Sequence, residues 1–363
     1  VVVVFLLVAD WVVGKPMENE AAARKKLQTY VQLSRDIQQA FASAHYSQAL
    51  VLCSQQAELA PQQADPHYNA ACALAGLGKT NDAFAALDKA AALGFADAEH
   101  LSNDPDVALL HSDPRFGALV ARLRENAVRR LEKLYEPGKP LPGVKTIEGN
   151  PEGGLRWRLQ LLPSATAQKP QRLIVWLHPS GGSMNQQVEP LSPEFNKRGF
   201  ALLVPTAKNW SSWTSQHLDQ LMAKTLDDVA KVPGVDVKRP ILFGFSAGGQ
   251  MALEAYIRQP ARIGGLILDA VYPVKIEESG RVSLMNLPKR AEDLARLRTV
   301  PVYAVVGGDD PGVRFWQQTQ PIWQAADLPL TLTIVPHQGH AWLFGPQELA
   351  ALYVWLESHS LDF

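Results

Sequence analysis

The stretch Ile241-Leu-Phe-Gly-Phe-Ser246-Ala-Gly-Gly-Gln-Met-Ala-Leu253 decides how this chain reads. Residues 241–243 form a short apolar run, as in a strand with both faces buried. An amphipathic helical pattern starts at Ala247. Between them, Gly244-Phe245-Ser246-Ala247-Gly248 has the form G-x-S-x-G, in the strand–turn–helix context that exposes a serine hydroxyl at the end of a sheet. A serine on so tight a turn needs small neighbours, which the glycines supply. The helix N-terminus favours negative charge developing beside it. The pentapeptide alone is weak, since it arises by chance in roughly one chain in ten. Its context makes Ser246 a candidate nucleophile.

Outward from this point, strands alternate with helices. Strand-like runs lie at 155–162, 172–177, 200–204, 266–268, 300–306 and 330–335, and helical patterns at 215–231, 247–258, 313–326 and 346–358. That order predicts an α/β fold with a doubly wound, mainly parallel sheet. A serine nucleophile needs a base and an orienting acid. In α/β sheets of this kind they follow the serine in the order acid, then histidine. Gly307-Gly308-Asp309-Asp310-Pro311 follows the strand at 300–306, and Asp310 is the expected acid, with Asp309 as the alternative. Pro336-His337-Gln338-Gly339-His340 follows the strand at 330–335, and His340 is the expected base, with His337 as the alternative. His359, near the terminus, reads as surface. Backbone donors for an oxyanion are expected from Ala247 and from the loop His178-Pro179-Ser180-Gly181-Gly182, with Ser180 first and Gly181 next. His178 reads as a brace for that loop.

Residues 155–359 resemble the α/β-hydrolase superfamily, nearest its esterase, dienelactone hydrolase and polyester depolymerase-like branches. The motifs carrying the likeness are His178-Pro-Ser-Gly-Gly182, Gly244-Phe-Ser246-Ala-Gly248, Gly307-Gly-Asp-Asp310 and Gly339-His340. The resemblance implies hydrolysis of a small carboxylic ester through an acyl-enzyme, with no metal or cofactor. The oxyanion loop reads HPSGG rather than HGGG, which leaves the second donor open. The cysteine nucleophile of some dienelactone hydrolases is absent. Trp210 and Trp213 overhang the same end of the sheet and read equally as substrate-pocket walls or as loop anchors. The charged segment 272–298 lies where this superfamily inserts caps. Two rival readings stand beside this one. One is a serine peptidase of the prolyl oligopeptidase type; the other is a binding module whose hydrolase half is inert.

The first part of the chain has a different grammar. Residues 18–135 are rich in Ala, Leu and Gln and read as helix. Ala49 and Ala83, Ala57 and Ala91, and Leu59 and Leu93 each lie 34 residues apart. Residues 30–95 resemble tetratricopeptide repeats, whose period this is and which imply a protein partner. A last helix is expected at about 116–135, and 136–154 reads as a linker before the hydrolase-like region 155–363. Residues 1–17 open with an apolar run matching the core of a secretory signal peptide, so the expectation there is a targeting segment and a periplasmic or secreted protein. Nine apolar residues are too few to span a bilayer, so no stable membrane span is expected. Cys53 and Cys72 have no zinc-ligand spacing and read as buried thiols. A net charge of −1 and no basic run argue against a nucleic-acid partner.

Overall fold

The sheet forms because its central strands are apolar on both faces. In the computed structural model, which describes residues 20–135, 139–180, 182–206, 213–276 and 282–359, ten strands occur among the described residues. They are β1 (Lys145–Gly149), β2 (Arg156–Leu161), β3 (Gln171–Leu177), β4 (Phe200–Thr206), β5 (Val235–Phe245), β6 (Gly265–Asp269), β7 (Val274–Ile276), β8 (Val282–Leu284), β9 (Val302–Gly307) and β10 (Leu330–Val335). Eight of them make one sheet in the order β1-β2-β4-β3-β5-β6-β9-β10. β1 and β2 pair antiparallel, β2 runs antiparallel to β4, and the remaining pairs are parallel. This is the expected mainly parallel α/β architecture, α/β-hydrolase-like in its strand order.

Alternation along each strand feeds two apolar layers. Leu173, Val175 and Leu177 of β3, with Leu242 of β5, face one core, together with the helices Ala247–Arg258 and Val313–Ala325. Ile174, Trp176, Ile241, Phe243 and Phe245 face the other, against the helix Pro346–Ser358. Each fully buried aliphatic or aromatic side chain contributes about 1.5–3 kcal/mol. β3 connects leftward to β4 and β5 connects rightward to β6, so the strand order reverses between β3 and β5. Ligand sites in such sheets lie at the carboxyl ends of the strands at this switch point.

Two elements differ from the sequence reading. β1 lies inside the stretch read as a linker; its sequence Lys-Thr-Ile-Glu-Gly is largely exposed, as a sheet edge allows. The β7–β8 hairpin lies inside the stretch read as a cap. Its strands have three residues each, too short to carry a periodic signal.

The chain divides into two compact units, Val1–Lys133 and Leu134–Phe363. The first contains helices α1 (Glu20–Ala42), α2 (Tyr46–Leu59), α3 (Asp65–Gly76), α4 (Thr80–Ala92), α5 (Ala98–Asn103) and α6 (Pro114–Tyr135). α1 packs on α2, α2 on α3 and α3 on α4. Tyr68, Cys72, Phe84, Leu87, Leu101 and Leu119 meet in one core. The stretch between α4 and α6 forms α5 and a 3-10 helix, Pro105–Leu110. Asp104 caps the latter through Asp106 N at 2.9 Å and accepts a bond from Tyr68 Oη at 2.7 Å. Cys53 and Cys72 are free and buried, and burial pushes the Cys53 thiol up to about 12. The expected targeting segment, 1–17, lies outside the described residues. Among the described residues no helix is long and apolar enough to cross a membrane.

Candidate active site

β5 delivers Ser246 at its carboxyl end, and the helix Ala247–Arg258 begins one residue later. Ser246 has φ 50° and ψ −116°, a conformation that L residues adopt only where the surroundings hold them. Its N–H donates to Asp269 O at 3.1 Å, so the end of β6 fixes the turn. Gly248 is required by close approach: a Cβ there would lie 1.8 Å from Leu177 O and 2.7 Å from His178 O. The loop after β3 therefore rests on the first turn of this helix. Ala247 is the first residue of that helix, and its N–H has no acceptor within it.

Three of the residues singled out in the sequence meet here. His340 Nε2 lies 3.0 Å from Ser246 Oγ, and His340 Nδ1 lies 2.8 Å from Asp310 Oδ2. The Asp310 side chain is fully buried, while Asp309 is exposed. The backbone N–H of Asp309 donates to Gln338 O at 2.9 Å. Gly308 N donates to Val335 O at 2.8 Å, so the loops after β9 and β10 are joined by their backbones. His337, the alternative base, is exposed with φ 60°.

His178 is buried; its Nδ1 lies 2.8 Å from Pro179 O, and its Nε2 meets no partner among the described residues. Burial pushes it down to about 4, with the bond to Pro179 pulling the other way. Trp213 donates its Nε1–H to His178 O at 2.6 Å, and the two rings lie 4.5 Å apart. Trp213 thus touches the loop itself, as an anchor does. Ser180 is partly buried on that loop. Gly181 and Trp210 lie outside the described residues.

Two residues not singled out for this site also belong to it. Tyr272 Oη donates to Asp310 Oδ1 at 2.7 Å and lies 3.1 Å from His340 Nδ1. Asp269 is fully buried, and Leu343 N donates to its Oδ2 at 3.3 Å. Burial, with the nearby Asp310, raises its carboxyl well above the usual range. Their one sequence signal is position, at and just beyond the carboxyl end of β6. A surface hollow of about 370 Å³ lined by Arg239, Ala261, Ala295, Arg296 and Thr299 lies at the opposite ends of the strands, away from Ser246.

No family model matches the chain, and no curated protein matches it. Solved structures similar to it include an uncharacterized protein from Bacillus cereus ATCC 10987, at 17% identity over 92% of this chain and 99% of that one, with a TM-score of 0.40. A dienelactone hydrolase-like promiscuous phosphotriesterase from metagenomic libraries matches 61% of this chain and 99% of its own at 15% identity, TM-score 0.45. A ferulic acid esterase matches the same shares at 14% identity, TM-score 0.46. Scores of this size carry no argument about chemistry; the fold rests on the strand order and register above.

Proposed function

We propose that this protein is a serine hydrolase that cleaves carboxylic esters through an acyl-enzyme. The observation that carries the reading is the continuous relay from Ser246 Oγ to His340 Nε2, at 3.0 Å, and from His340 Nδ1 to Asp310 Oδ2, at 2.8 Å. With its proton on Nδ1, His340 presents a free Nε2 lone pair to the serine hydroxyl. Ser246 Oγ attacks the ester carbonyl as His340 takes its proton. The Ala247 and Ser180 N–H groups hold the oxyanion, a role supported by the seating of the β3 loop on the helix at Gly248. The tetrahedral intermediate expels the alcohol, which receives the proton from His340. Water, deprotonated by the same imidazole, then attacks the acyl-enzyme; the second tetrahedral intermediate breaks its bond to Ser246 Oγ, which recovers the proton from His340, and the acid leaves.

The 34-residue offset between the starts of α2 and α4, at Tyr46 and Thr80, supports a tetratricopeptide-like reading of the N-terminal unit. On that reading the helices recruit a protein partner. The hydrolase assignment is tested by turnover of short and medium p-nitrophenyl esters. Wild type should release nitrophenol and Ser246→Ala should not. Equal rates for the two proteins sink the assignment.

A further inference from the structure

Tyr272 sits three residues beyond the end of β6, on a segment held by its backbone. Trp316 Nε1 donates to Val271 O at 2.6 Å, Gln250 Nε2 to Tyr272 O at 2.6 Å, and Met285 N to Pro273 O at 2.9 Å. Gln250 lies one turn after Ser246, so the helix carrying the serine turn also holds this segment. The ring fits against Gly312, where a Cβ would lie 1.9 Å from Tyr272 Cε1. Nothing larger than glycine permits that approach.

The phenol closes a three-membered ring of hydrogen bonds. It donates a hydrogen bond to Asp310 Oδ1 at 2.7 Å, where Gly312 N also donates, at 2.8 Å. A hydroxyl that has donated still carries lone pairs. His340 Nδ1 lies 3.1 Å from that oxygen and 2.8 Å from Asp310 Oδ2, so its single N–H is forked between two acceptors. Burial and the Asp310 charge both push the phenol up, so it keeps the proton it donates.

We propose that Tyr272 is a positioning residue for the hydrolysis put forward above, fixing the Asp310 carboxylate and giving His340 Nδ1–H a second acceptor. The tautomer with a free Nε2 is thereby specified twice. In a triad with one acceptor, loss of the acid leaves the wrong tautomer and lowers kcat about 10⁴-fold. Here Asp310→Ala leaves the Tyr272 oxygen in place.

The test compares Tyr272→Phe, Asp310→Ala and the double variant in the full chain. Phenylalanine keeps the ring packing, so the thermal midpoint of Tyr272→Phe stays near that of wild type. Its kcat should fall about tenfold at unchanged KM, the scale of one lost charge-assisted hydrogen bond. The double variant should fall at least about tenfold below Asp310→Ala. A double variant equal to Asp310→Ala overturns the proposal. A second readout needs no substrate: the low-field proton resonance of His340 Nδ1–H should move in Tyr272→Phe, and an unmoved resonance also overturns it. If that resonance moves while no ester is turned over, the contact stands and the esterase reading fails.

Discussion

His178 makes the C-terminal unit sensitive to acid, and the size of the effect follows from its burial. The imidazole is buried against Trp213 and sits at about 4, against about 6.5 in an unfolded chain. The unfolded state therefore binds the proton first as pH falls. Stability from this group is complete above about pH 6.5 and is lost as pH falls toward about 4. One unit is worth about 1.4 kcal/mol, so the loss is about 2 kcal/mol at pH 5 and about 3 kcal/mol once both states are protonated. His178→Asn removes the titration and keeps a donor for Pro179 O. Urea unfolding followed by tryptophan fluorescence isolates the right unit, because only Trp11 of the nine tryptophans lies outside Leu134–Phe363. Between pH 7 and pH 5, wild type should lose about 2 kcal/mol more than His178→Asn. Parallel stability curves for the two proteins would refute the reasoning.

Three further outcomes follow from the contacts. Gly248→Ala drives a methyl into Leu177 O, 1.8 Å away. It should cost about 1–3 kcal/mol in urea unfolding and lower kcat at least about a hundredfold by displacing the oxyanion loop. Asp310→Asn should lower kcat at least about a hundredfold but by less than about 10⁴, since the Tyr272 oxygen still faces His340 Nδ1 at 3.1 Å, whereas Asp309→Asn should leave ester turnover within about twofold of wild type. Arg158 and Glu189 form an ion pair whose side chains are 2% and 3% exposed. Arg158→Met should cost about 3–5 kcal/mol, most of it recovered by adding Glu189→Leu, as measured by urea midpoints.

The sheet was legible because buried parallel strands leave unbroken apolar runs, as at Leu173–Leu177 and Leu242–Phe245. β1 left no such run, since an exposed edge strand needs no apolar face. The serine turn was legible because close approach restricts positions such as Gly248 to glycine. On paper Asp310 was preferred over Asp309 only for its place beside Pro311. Both follow the same strand, and what separates them, the burial of Asp310 and its 2.8 Å approach to His340, arises from tertiary packing. His340 was likewise preferred over His337 by position, and its contacts with Ser246 and Asp310 come from packing between distant loops. Trp213 stood equally for pocket wall and anchor, and its contacts with His178 and His217 come from packing that no local pattern shows. Tyr272 and Asp269 carry no motif. Their place beside Asp310 and Leu343 is set by tertiary packing across many residues of chain, which no local pattern encodes.

The measurement that bears most directly on the account is covalent capture of the nucleophile. The full chain is incubated with a p-nitrophenyl phosphonate, and intact mass and peptide mass are recorded. The account predicts one adduct per chain, located on Ser246, that forms at a much lower rate in His340→Ala and is lost in Ser246→Ala. No adduct, or an adduct on another residue that persists in Ser246→Ala, contradicts it.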